Sequence, residues 1–274
     1  MKSAPFTYQA ALSIPDAARA LADGGSRIIA GGQSLVPMLN LRLAPAESVV
    51  DITRIPELRA VDETASAIRY GATTTHAAFE DGLVPDGSNG LMRHVAGQIA
   101  YRAVRTRGTI GGSIALADPA ADWVTTTIAL EAVLHLVGAA GARQVPVRDF
   151  VLGPYFTAIE DGELIVAVEV PRRPATERWG HRKVVLKTGE YAESMAIALV
   201  DRPGNYARIV LGAVDGAPIL MERSSAALVR GAGEDALKIE IRAELVSAER
   251  EFTPARLIMH TTTVLRAVKD AGAS

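Results

Sequence analysis

Two glycine pairs, each set among hydroxyl and amide side chains, constrain this chain more than any other feature. The first lies in Ala30-Gly31-Gly32-Gln33-Ser34, directly after the apolar residues Ile28 and Ile29. The second lies in Thr109-Ile110-Gly111-Gly112-Ser113. Adjacent glycines let backbone N–H groups come close to an anion and accept left-handed turns that aim those groups inward. Gln33, Ser34, Thr109 and Ser113 add polar side chains at the same places. Two such segments are able to hold a diphosphate between them, although by residue type alone each is equally well a tight turn. Neither contains the Gly-Lys of a P-loop. Gly231-Ala232-Gly233-Glu234-Asp235-Ala236 fits the loose dinucleotide pattern, but its context is wrong. The residues before it read as helix, and two acids stand where a diphosphate would approach.

The first pair sits in a β-α-β-like opening. Ser13-Ile14-Pro15-Asp16 reads as a helix start, with Ser13 as cap, Pro15 in the first turn and Asp16 at the positive end. That helix stops at Gly24-Gly25; a strand at Arg27–Ala30, a short helix near Leu35–Leu41 and a strand at Ser48–Ile52 follow. The next region starts with a strand at Ala67–Gly71 and helices near Thr75–Asp81 and Leu91–Tyr101. After the second glycine pair come a helix at Asp122–Ala129 and strands at Ala132–Val137, Gln144–Val147 and Leu164–Val170. Pro171-Arg172-Arg173-Pro174 marks a boundary, because proline cannot continue a ladder. Beyond it, Arg182–Leu186, Met195–Val200 and Ala207–Val214 read as three antiparallel strands, and Met221–Val229, Asp235–Ala248 and Pro254–Val268 as helices.

Composition narrows the functional classes. Lys plus Arg total 29 against 31 Asp plus Glu, so no electrostatic case exists for nucleic acid as the main partner. The chain has no cysteine, which excludes disulfides, thiolate zinc sites and cysteine-ligated iron–sulfur clusters on it. The five histidines (His76, His94, His135, His181, His260) are too scattered for a short metal motif, and no metal site is expected. His76 and His94 read as structural. The N-terminus does not read as a secretory signal, and no apolar stretch approaches the roughly 20 residues of a membrane span. A cytoplasmic chain is expected.

Four segments occur in order: AGGQSLVPMLNLRL (Ala30–Leu43), VVDITRIPEL (Val49–Leu58), RGTIGGSIALADPAAD (Arg107–Asp122) and KTGEYA (Lys187–Ala192). Together they resemble the FAD-binding medium subunit of the molybdenum hydroxylases, the carbon monoxide dehydrogenase medium-subunit family, and more distantly the FAD domain of xanthine dehydrogenase. The resemblance implies an α+β fold of the vanillyl-alcohol-oxidase type. Two α+β subdomains (1–53 and 54–174) would hold FAD, followed by a C-terminal α+β domain (175–274) with a three-stranded antiparallel sheet and helices. It implies a first diphosphate segment at Ala30, Gly31, Gly32, Gln33, Ser34 and Leu35, with Ile29 and Ala30 lining the flavin or its linker. The second segment would be Thr109, Gly111, Gly112 and Ser113. Asp122 matches an acidic position on the cofactor's polar groups, Tyr191 a position beside the isoalloxazine ring, and Lys183 and Lys187 basic positions near that ring. By residue type alone, the last three read as a solvated strand edge with a half-buried aromatic. The chain departs from many relatives at Arg105-Thr106-Arg107 and at Glu190, where aspartate is more frequent, and Asp118 stands where the distant relative has serine.

The implied function is electron transfer, with no catalytic side chain on this chain. Substrate would be oxidised at a molybdenum-pterin centre on a large subunit. Electrons would cross a pair of [2Fe-2S] clusters on a small subunit, reach FAD here and leave to an external acceptor. The family suggests a dimer of heterotrimers. A free-standing flavin oxidoreductase of the same fold and a cofactor-free assembly subunit are the competing readings.

Overall fold

The opening sheet is parallel and three-stranded in a computed structural model that describes residues 2–22, 24–248 and 250–272. Met1, Ala273 and Ser274, at the ends of the expected first and last domains, fall outside the described residues. In chain order the opening elements are β1 (Thr7–Ala10), α1 (Ile14–Ala22), β2 (Ser26–Ile29), α2 (Leu35–Asn40) and β3 (Ser48–Asp51). β3 lies in the middle, with β1 and β2 parallel on either side. Ser13 caps α1 as expected, its Oγ accepting the Asp16 N–H at 3.2 Å. β1 was not expected: TYQA is mostly exposed and is held as a strand only by pairing with β3. Ala17, Val50, Ile52, Ile55 and Leu58 form the small core under this sheet, and Leu164 joins them.

The second layer is a five-stranded antiparallel sheet of order β4-β5-β10-β6-β7. Its strands are β4 (Val61–Glu63), β5 (Ala67–Gly71), β6 (Val133–Gly138), β7 (Gly141–Pro146) and β10 (Leu164–Pro171). Between β5 and β6 lie α3 (His76–Glu80), α4 (Leu91–Gln98), α5 (Arg102–Arg105), α6 (Ile110–Leu116) and α7 (Asp122–Ala129). Between β7 and β10 lie α8 (Val147–Phe150) and a hairpin of β8 (Val151–Gly153) with β9 (Phe156–Thr157). Every residue of α7 is buried, including three consecutive threonines. Two of them remain satisfied there by bonding back along the helix: the Thr126 hydroxyl donates to the Asp122 carbonyl at 2.7 Å and Thr127 to Trp123 at 2.6 Å. Trp123, Tyr70, Phe79 and Phe150 centre the main core.

The last layer is antiparallel: β11 (Arg178–Val184), β12 (Ser194–Asp201), β13 (Tyr206–Gly212) and β14 (Ile219–Leu220), in that order. Three expected strands are present, the first shifted to Arg178–Val184 from the expected Arg182–Leu186, and the two-residue β14 extends the sheet by pairing with Val210 and Leu211. Helices α9 (Glu222–Val229), α10 (Glu234–Ser247) and α11 (Pro254–Asp270) follow. β12 is buried along its whole length because both faces are covered. Ile197 and Leu199 join the Trp123 core, while Ala196, Ala198 and Val200 pack with Leu237, Ile241 and Val264. That is the period-2 alternation of a strand used on both faces. The Gly231–Gly233 segment joins α9 to α10, so it is a helix-to-helix turn and not a strand-to-helix phosphate loop.

Three buried histidines make this fold sensitive to acid. Burial holds His76 and His181 down to about 3 and His260 to about 4, with nearby positive charge adding to the effect. Each folded-state value is depressed. The unfolded chain therefore takes up protons first, and stability falls as pH drops below the ordinary histidine value of about 6.5. The slope reaches about 1.4 kcal/mol per pH unit for each group. Urea midpoints should therefore fall between pH 7 and pH 5, and a flat profile over that range would contradict the assignment.

Candidate cofactor site

The first glycine pair forms the turn between β2 and α2. Gly32 takes the left-handed conformation (φ +73°) that the turn requires. None of the N–H groups from Gly31 to Ser34 donates to a protein acceptor among the described residues. The Ser34 side chain makes no capping bond, and Gln33 Nε2 donates to the Gly31 carbonyl at 3.3 Å. Ile29, Ala30, Gln33, Ser34 and Leu35 are all partly exposed. Together they make a row of unpaired donors beside a half-open apolar edge, suited to an anion joined to a flat apolar group.

The second glycine pair is arranged differently from a free loop. Thr109 caps α6, its Oγ1 accepting the Gly112 N–H at 3.2 Å. The Ile110 N–H donates to Thr74 and the Gly111 N–H to Ala72, each at 3.0 Å. These glycines therefore serve close approach. A Cβ on Gly111 would lie 2.6 Å from the Ala72 Cβ. A Cβ on Gly31 would lie 2.0 Å from the Arg107 carbonyl oxygen and 2.8 Å from the Gly108 Cα. The two segments, far apart in sequence, thus touch backbone to backbone. A Cβ on the exposed Gly112 would lie 2.8 Å from the capping Thr109 Oγ1 and 4.0 Å from the Ala30 Cβ, so glycine here both permits the cap and leaves a smooth floor beside the free N–H groups. Arg107 reaches the Gly31 carbonyl through Nε at 3.4 Å.

His76 buttresses this junction. Its N–H donates to the Gly108 carbonyl at 2.9 Å, and its Nδ1 accepts the Trp123 indole N–H at 2.9 Å. The imidazole is neutral and structural, as expected.

A second group of residues gathers at the far end of α6. The helix ends at Ala117 in the left-handed region (φ 51°). Asp118 follows, and α7 begins at Asp122. Asp122 is 5 % exposed and Lys183 9 %, with Lys183 Nζ 2.8 Å from Oδ1 and 2.9 Å from Oδ2. Lys183 also approaches the Gln98 carbonyl at 3.3 Å. Burial pushes the Asp122 carboxyl up, and the Lys183 ammonium opposes that shift. Tyr191 is 60 % exposed, and burial of its hydroxyl end, followed by Asp118 and Asp122, raises its pKa. The loop from Asp118 to Asp122 packs beside it: Ala120 touches the cluster of Ala192, Met195 and Ala213, and the Pro119 carbonyl accepts the Ala213 N–H at 3.1 Å. Lys187 stands exposed in the bend that follows β11. Two positions unmarked by sequence also belong here: Tyr155, whose hydroxyl donates to Asp118 at 3.0 Å, and Tyr101, against whose ring Gly189 is packed.

A cavity of about 350 Å³ opens between Gln98, Tyr101, Arg105, Lys183, Gly189 and Glu190. A larger one of about 550 Å³ is lined by Asn89, Arg178, Trp179 and Arg202, and none of the expected site residues reaches it. Among the described residues no cluster of His, Asp and Glu could hold a metal, and no helix is long and apolar enough to cross a membrane.

Residues 4–173 match the family described as the FAD binding domain in molybdopterin dehydrogenase. The carbon monoxide dehydrogenase medium chain of Hydrogenophaga pseudoflava is 38% identical over 202 residues, which cover 73% of this chain and 70% of that protein. The nicotine 6-hydroxylase medium subunit of Paenarthrobacter nicotinovorans is 32% identical, covering 79% of this chain and 77% of that protein. The solved carbon monoxide dehydrogenase of Hydrogenophaga pseudoflava matches the whole fold with a TM-score of 0.93 at 33% identity, covering 100% of this chain and 99% of that chain.

Proposed function

The chain belongs to the FAD-binding family of the molybdopterin dehydrogenases, and from that premise we propose that it is the electron-transfer subunit of a three-subunit molybdenum hydroxylase. The observation that carries this reading is the junction of the two glycine segments, where four consecutive N–H groups lack acceptors among the described residues, beside a surface kept smooth by Gly112. In this reading the diphosphate of FAD lies against Gly31–Ser34, over Gly112 and beside Ser113, with Thr109 and Gly111 holding that floor. Ile29, Ala30 and Leu35 flank the linker. FAD bound there supplies the redox group that accepts and passes on electrons. This chain's residues place and tune it: Tyr191 beside the ring, Asp122 and Lys183 as a mutually neutralising pair behind it, and Lys187 at the rim. The FAD sits between an N-terminal subdomain (1–53) and a middle subdomain (54–174), and the C-terminal domain (175–274) brings Lys183 and Tyr191 to it.

The absence of cysteine supports partners, because electrons must come from clusters held elsewhere. The partners are a small iron–sulfur subunit and a large molybdenum-pterin subunit, with the trimer doubled in a cytoplasmic complex. The test is the visible spectrum of the natively purified protein with its co-purifying chains, together with identification of the cofactor released on denaturation. Released FAD with iron–sulfur absorbance from two partner chains is expected. Substrate turnover by the isolated chain would favour a free-standing flavin enzyme, and an FAD-free complex an assembly subunit.

A further inference from the structure

The hairpin of β8 and β9 carries Tyr155 in a conformation that packing does not explain. Tyr155 has φ +55°, a region unfavourable for a residue with a large side chain, yet it is 62 % exposed. Its backbone N–H donates to the carbonyl of Ala117, itself left-handed, at 2.9 Å. Its hydroxyl donates to Asp118 Oδ2 at 3.0 Å, while Asp118 Oδ1 accepts the Ala120 N–H at 2.9 Å. Both oxygens of this buried carboxylate are thereby fixed in place. Strained residues persist where surrounding contacts over-determine them, and they concentrate at functional sites.

The location gives the strain a purpose. α6 has seven residues, so at about 1.5 Å per residue its ends stand about 10 Å apart. One end is the Thr109–Gly112 floor and the other is Ala117–Asp118. The loop after Asp118 packs on the cluster of Ala192, Met195 and Ala213, whose Ala192 adjoins Tyr191. One end of α6 therefore lies at the diphosphate and the other on the ring side of the same cofactor. We propose that Tyr155 is a positioning residue for the flavin: by donating to Asp118 it fixes that carboxylate on the Tyr191 side of the ring and reduces its field there.

This rests on the FAD reading above. The sign follows from charge. Reduced flavin is more negative than oxidised flavin, so an unshielded carboxylate nearby disfavours reduction. Tyr155→Phe keeps the ring and removes the donor, leaving Asp118 with its full charge, and the midpoint potential of FAD should fall. Asp118→Asn removes the charge, and the potential should rise. Both variants are measured in the assembled, FAD-loaded complex by spectroelectrochemical titration, with FAD per chain and Tm recorded alongside; Asp118→Ser replaces Asp118→Asn if that variant fails to assemble. Opposite shifts with FAD retained support the proposal. Unchanged potentials, shifts of the same sign, or loss of FAD from Tyr155→Phe would make the contact a structural clamp and overturn it. A wild-type complex without FAD would overturn the FAD reading itself, an outcome separate from any of these.

Discussion

Gly31→Ala should strip the protein of its FAD and lower its Tm. The added Cβ would lie 2.0 Å from the Arg107 carbonyl oxygen and 2.6 Å from its carbon, and both are backbone atoms that no rotamer change can move. Either the β2–α2 turn or the Arg107–Gly108 segment must therefore shift. Overpacking of this kind costs about 1–3 kcal/mol of stability. The effect on binding should be larger than the effect on folding, because the free N–H groups and the Gly112 floor have to stay aligned. A tenfold loss of affinity corresponds to about 1.4 kcal/mol, and more than tenfold is expected here. FAD per chain and thermal melting of the purified complex read the two effects separately. Gly153→Ala is the control: its Cβ would find no atom nearer than 4.0 Å, and it should leave both readings unchanged. Full FAD content in Gly31→Ala would mean that the two segments do not form the cradle.

Lys183→Met should be the most destabilising single substitution in the site. It leaves Asp122, 5 % exposed, without its counter-ion. Removing one partner of a buried pair costs about 3–5 kcal/mol, because the remaining charge stays out of water. The penalty should depend on pH. Without Lys183 the opposing attraction is gone, so burial drives the Asp122 carboxyl further above its unfolded value of about 3.9. A carboxyl with a raised folded pKa contributes stability that is complete below the unfolded value and is lost as pH rises through the folded value. The gap between wild type and variant should therefore be widest near neutrality and narrow on acidification. Urea midpoints at pH 7.5 and pH 5 test this as a difference, which cancels the His76 and His260 titrations; His181, which Lys183 helps hold down, changes with the substitution and is separated by the double variant. Adding Asp122→Asn to Lys183→Met should restore part of the loss at pH 7.5. A gap that is constant with pH, or no recovery in the double variant, would show that the lysine acts through packing alone.

The segments that sequence reading located are those whose signals are local. The Ile28–Ile29 run before a glycine turn, the Ser13 cap with Pro15, and the continuous apolar run Met195–Val200 of β12 each declare an element within a few residues. β1 carries no local signal, because its stability comes from β3, some forty residues away. By residue type the second glycine segment favours a tight turn, since two glycines oppose helix formation, yet it is the first turn of α6. What overrides that propensity is tertiary: acceptors on Ala72 and Thr74 take the Gly111 and Ile110 N–H groups.

The amino-acid sequence by itself determined the family of this protein, its two glycine segments and the absence of any thiolate that could hold a cluster. Motif residues are chosen by short-range demands of backbone and cofactor, and those demands are written in adjacent positions. Tertiary structure alone decided that Gly31 meets Arg107, that Lys183 neutralises Asp122 across 61 residues, and that Tyr155 holds Asp118 from an exposed hairpin. These contacts depend on how separate layers pack, and no local pattern encodes which distant charge or carbonyl will be brought within 3 Å.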